Sequence, residues 1–99
     1  MPEYIMLFRF TTKGVQNIKD APTRISVVKK IFEQNKGKVK TLYSLLGQYD
    51  TMCIAEAPDD ETIAKISLQI TSQGNVTTET LRAFSEEQTL KIIKEIATA

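Results

Sequence analysis

The sequence predicts one α+β domain with a ferredoxin-like β-α-β-β-α-β sheet and a helix added at its C-terminus. Three observations lead there. The apolar patterns follow one another in that order, with short connections that permit a right-handed crossover in each half. The first and third predicted strands are apolar, as inner strands should be, whereas the second and fourth carry lysines and threonines, as edge strands should. The length of 99 residues with 41% hydrophobic side chains suits a single folding unit, residues 1–99, and excludes a second domain.

The first strand covers Glu3 to Thr11, with apolar side chains on both parities: Tyr4, Met6, Phe8 and Phe10 on one, Ile5 and Leu7 on the other. Thr12 to Asp20 is a polar connection with room for a turn of helix. Pro22 then opens a helix reaching about Asn35, with Ile25, Val28, Ile31 and Phe32 on its inner side and Gly37 as its left-handed stop. Lys38 to Leu46 alternates polar and apolar residues, the mark of a guarded edge strand. Gly47 to Asp50 turns the chain into a hairpin with the short apolar strand Thr51 to Ala57. Pro58-Asp59-Asp60-Glu61 places anionic side chains at the start of a second helix, whose Ile63, Ile66 and Ile70 form one stripe before Gly74. Val76 to Phe84 is the last strand. Ser85 to Gln88 fits a capping box, and a final helix comes next with Leu90, Ile93 and Ala97 along one side and Ile92 and Ile96 beside them.

Two helices roof one face of such a sheet, yet the first strand is apolar on both. The remaining face calls for a second copy, or partly for the C-terminal helix. A homodimer or higher homo-oligomer with an inter-sheet cavity is therefore expected.

Other classes are excluded by composition. Thirteen Lys and Arg against twelve Asp and Glu give +1, so no overall field draws nucleic acid or a membrane surface. The nine basic and three acidic residues before Asp50 (net +6) and the four and nine from Asp50 onward (net −5) are read as solvated faces, with a share in steering assembly. The chain has no histidine and one cysteine, Cys53. This removes His-based nucleophile arrangements and the usual zinc, iron or copper sets, and no cofactor or metal is expected. The longest apolar run is too short for a signal or a membrane span, so a cytoplasmic location is expected.

Four spaced segments, PEYIMLFRFTTKG, GKVKTLYSLLGQYD, EAPDDE and GNVTTETLRAFSEE, together resemble the GYD domain family, whose Gly-Tyr-Asp signature is matched by Gly47, Tyr49 and Asp50. The resemblance covers nearly the whole chain and implies a subunit of a dimeric α/β barrel. It carries no established catalytic residue.

The candidate site is built from Arg9, Tyr43, Tyr49, Asp50 and Arg82. Tyr49 and Asp50 offer a donor and an acceptor beside Gly47, although a hairpin turn uses the same residues. Arg9 and Arg82 would hold a carboxylate or phosphate if both lined an inter-subunit cavity, although pairing with Glu3, Glu56 and Glu79 competes. Three functions are consistent with this: a homo-oligomeric module binding a small, anionic molecule; a cofactor-independent oxygenase or isomerase acting near Tyr43, Tyr49, Arg9 and Asp50; and a purely structural or regulatory assembly unit.

Overall fold

Side chains alternate across a strand, so each strand divides its residues between two faces. In Glu3–Phe10 (β1) that division organises the molecule. The computed structural model, which describes residues 1–98, pairs β1 antiparallel with Thr51–Glu56 (β3) on one side and Val76–Ala83 (β4) on the other. Lys38–Ser44 (β2) lies outside β3, so the order is β2-β3-β1-β4 and the two apolar strands are inside. Short helix α1 (Thr12–Gln16) and a 3₁₀ turn (Ile18–Asp20) lead into α2 (Ala21–Gln34), and α3 (Asp60–Thr71) connects β3 to β4.

The core lies between the sheet and the pair α2 and α3. Tyr4, Met6 and Phe8 point into it from β1, Ile31 and Phe32 from α2, and Ile63, Ile66 and Ile70 from α3. The small side chains of Cys53, Ala55 and Ala57 complete this layer and leave its volume to the larger groups. Burial pushes the Cys53 thiol from its ordinary value of 9.0 up to about 11, against a backbone hydrogen bond that lowers it. Two outcomes are expected. Cys53 should resist a disulfide reagent until the protein is unfolded, and labelling of the native protein at the rate of an exposed thiol would contradict its burial. A thiol raised on folding favours the folded state below the ordinary value. That contribution is lost as pH rises from about 9 toward 11, which a set of denaturation curves would record.

The ends of the helices are built largely as the residue types dictate. Asp59 caps α3, accepting from the Thr62 N–H at 2.8 Å and its hydroxyl at 2.6 Å, and these bonds hold its carboxyl below the usual range. Ser85 and Gln88 form the reciprocal box that opens α4 (Glu86–Thr98), at 2.9 and 3.1 Å.

Three expectations need correction. The left-handed residue after α2 is Lys36 (φ 62°) rather than Gly37. Gly37 is needed for closeness instead, because a Cβ there would lie 2.6 Å from the Glu56 carbonyl oxygen. The even alternation expected for Lys38 to Leu46 is broken by a bulge between Val39 and Thr41. Val39 and Leu42 thereby pack on the core while Thr41 and Tyr43 face the other way. Finally, the C-terminal helix does not roof the sheet. Every described residue of α4 is exposed, Leu90, Ile93 and Ile96 by 54–70%, and the molecule measures 54 × 30 × 18 Å. No helix of the described residues is long and apolar enough to cross a membrane.

Candidate functional site

The helix-free face of the sheet carries Ile5 and Leu7 of β1. Register places Ile5 between Ile54 and Leu81, and Leu7 between Met52 and Glu79, with Tyr43 opposite Met52. Ile5, Leu7, Met52 and Ile54 are half-buried by their neighbours, and Leu81 and Tyr43 are exposed. The result is a continuous apolar band across all four strands.

Polar clusters close both ends of the band. At one end Lys40 Nζ lies 2.5 Å from Glu3 Oε2 and 3.5 Å from Glu56 Oε1, and the bond to Glu3 raises the lysine above its ordinary pKa. At the other end Arg9 Nε donates to the Gln48 carbonyl at 3.1 Å, and its guanidinium stands 5.1 Å from the Tyr49 ring centroid. The Tyr49 hydroxyl donates to the Glu79 carboxylate, which raises its own pKa.

The Gly-Tyr-Asp loop makes this second cluster possible. Gly47 takes φ +143°, a conformation open to glycine and not to residues with a Cβ. Tyr49 then reaches across the face to β4. Asp50 is spent on the backbone: its Oδ2 accepts from the Phe10 N–H at 2.8 Å, and its own N–H donates to the Phe8 carbonyl at 2.9 Å. Asp50→Ala would leave the Phe10 amide unpaired and should destabilise the fold by about 1–3 kcal/mol in chemical denaturation. An unchanged midpoint would show that water replaces the carboxylate.

The structure thus brings Arg9 and Tyr49 together, sets Tyr43 farther across the same face, and turns Asp50 inward to the loop. Arg82 is elsewhere. It pairs in register with Tyr4, so it lies on the helix side of the sheet and shares no cavity with Arg9. Its Nη1 donates to the carbonyls of Glu3 (3.2 Å) and Ala83, and its guanidinium stands 5.7 Å from the Tyr4 ring centroid and 4.4 Å from that of Phe84. Neither arginine forms the ion pair with Glu3, Glu56 or Glu79 that the sequence suggests: each turns one nitrogen, Arg9 Nε and Arg82 Nη1, to backbone carbonyls, and Lys40 takes two of the acids.

Around Arg82 the helix side holds groups that the sequence pattern does not single out. The Tyr4 hydroxyl donates to Asp60 Oδ1 at 2.6 Å, and desolvation, then this bond, pushes its pKa up to about 12. Asp60 is visible in the sequence only as an acid at a helix start. A separate apolar cavity under α2, lined by Ile25, Val28 and Leu42 among others, has a volume of about 80 Å³, too small for most ligands, whose pockets run to roughly 300–1,000 Å³. Among the described residues, no cluster of His, Cys, Asp or Glu is arranged to hold a metal ion.

Comparison with known proteins agrees with this architecture. The chain is 37% identical over 85 residues, 85% of this chain and 90% of the relative, to a glutamine synthetase and cystathionine beta-lyase binding protein of Thermus thermophilus. The leucine response regulatory protein of Mycobacterium tuberculosis superposes with a TM-score of 0.63 at 14% identity over 85% of this chain, which spans about half (51%) of that regulator's length. A 5-chloro-2-hydroxyhydroquinone dehydrochlorinase of Burkholderia phenoliruptrix AC1100 superposes with a TM-score of 0.60 at 11% identity, over 88% of this chain and 97% of that one. The identities of these two structures, well below 25%, speak for the fold alone. The GYD domain itself matches residues 4–93, including the loop that carries Gly47, Tyr49 and Asp50, and the chain belongs to the GYD domain family.

Proposed function

We propose that this protein is a non-catalytic, homo-oligomeric binding module of the cell interior, in which two copies pack sheet to sheet as a dimeric α/β barrel and the assembly engages other proteins. The observation that carries this reading is the apolar band of Ile5, Leu7, Met52, Ile54 and Leu81 on the face that no helix covers. Full burial of a side chain of this kind is worth roughly 1.5–3 kcal/mol relative to full exposure, and the part of each that the single chain leaves in water favours a second sheet as its cover.

The sheet does not suffice alone. Four strands of this length present about 20 by 25 Å in projection, below the roughly 800 Å² per partner of a stable association. The exposed apolar side of α4 supplies further area. Arg9, Tyr43 and Tyr49 at the margin of the band would face a cavity between the copies, where Arg9 suits a small carboxylate or phosphate. Catalysis is the weaker reading, because the groups that would act at this margin are already engaged, the Asp50 carboxylate with the Phe10 N–H and the Tyr49 hydroxyl with Glu79.

The relative's name supplies the partners to test. Purified glutamine synthetase and cystathionine beta-lyase from the source organism, each passed over the immobilised chain, should show saturable binding for at least one. Absence of binding by both would overturn the protein-binding part of this reading.

A further inference from the structure

On the helix side, a groove of about 540 Å³ runs between α3 and β4. Its volume lies within the range of small-molecule sites. One acid and one guanidinium line it, Asp60 and Arg82, and among the described residues neither is in an ion pair, the salt bridges being those of Lys40. Asp60 holds the Tyr4 hydroxyl through Oδ1, and Oδ2 has no partner there. Arg82 spends Nη1 on backbone carbonyls, while its Nε and Nη2 donors have no acceptor among the described residues.

The lining between them is polar on one side and apolar on the other. Ser67 and Thr78 share a 2.7 Å hydroxyl contact, and the Thr80 hydroxyl is buried with no hydrogen-bond partner. A buried hydroxyl without a partner is uncommon and costs free energy. Ile63, Ala64 and Leu68 supply the apolar wall from α3.

We infer that this groove is a binding site for a small zwitterion, an α-amino acid with an apolar side chain, whose ammonium faces Asp60 and whose carboxylate faces Arg82. Charge decides the class. A simple anion would be attracted by Arg82 and repelled by Asp60, a simple cation the reverse, and only a ligand bearing both charges satisfies both groups at once. The aliphatic substituent lies along Ile63, Ala64 and Leu68. Because the groove lies within one chain, on the face opposite the apolar band, the site does not depend on assembly.

The test is a titration of the ¹⁵N-labelled full chain with L-isoleucine to about 10 mM, the weak end of measurable affinity. Saturable shifts are expected at the amides of Ser67, Thr78, Thr80 and Arg82. L-isoleucinamide, which lacks the carboxylate, and 3-methylpentanoate, which lacks the ammonium, should each bind at least about tenfold more weakly, as should L-isoleucine to Asp60→Asn and Arg82→Gln. If Arg82→Gln fails to fold, the two truncated ligands and Asp60→Asn decide the matter. The inference is overturned if these amides show no saturable shift, or if the truncated ligands bind as well as the amino acid. The Ile5→Asp variant, altered on the other face, should retain the site, so loss of assembly and loss of this site are read separately.

Discussion

Phe8→Asp is expected to abolish the folded state. Phe8 is 5% exposed and belongs to the layer that Tyr4 and Met6 share with α2 and α3. Removing a buried phenyl ring from a core costs about 3–5 kcal/mol, and an unpaired carboxylate in its place adds a desolvation penalty of several more. The sum approaches the whole stability of a small domain, about 5–15 kcal/mol. Circular dichroism should lose its cooperative thermal transition. A native-like melt would mean that Phe8 does not point into the core.

Ile5→Asp, three residues earlier and of opposite parity, should act on assembly instead. Ile5 sits between Ile54 and Leu81 on the helix-free face, half-buried in the single chain, so its carboxylate variant remains hydrated when the copies are apart. Bringing two such faces together would bury two unpaired charges, and association should weaken by at least about a hundredfold while the fold survives. Circular dichroism and sedimentation on the same sample separate the two effects. Unfolding of this variant would place Ile5 in the core of the single chain, and an unchanged association would move the contact elsewhere.

The contrast between these two positions shows how much was legible in the residues. Strand parity separates Phe8 from Ile5, the spacing of Ile63, Ile66 and Ile70 marks the buried side of α3, and the caps at Asp59 and Ser85 depend on residue types a few positions apart. Such features are local, and local chemistry suffices to read them. The candidate site was less legible because it depends on register. Arg9 and Arg82 look equivalent in the sequence, and only the alignment of Arg82 with Tyr4 across β1 and β4 puts them on opposite faces. The bulge near Val39 is of the same kind, since one extra residue reverses the facing of those after it. Competition for partners was also hidden. Lys40 reaches both Glu3 and Glu56, and the arginines turn to carbonyl groups that no residue pattern announces. The signature residues Tyr49 and Asp50 divide their work, Asp50 continuing the pairing at the end of β1 and Tyr49 bridging to Glu79 beside the band.

Sedimentation equilibrium of the wild-type chain at micromolar concentration tests the central claim most directly. The uncovered apolar band predicts a species of at least twice the 11.1 kDa chain mass, shifted toward the monomer by Ile5→Asp. A wild-type protein that sediments as a clean monomer would contradict it, since the band would then be stable in water without a second sheet.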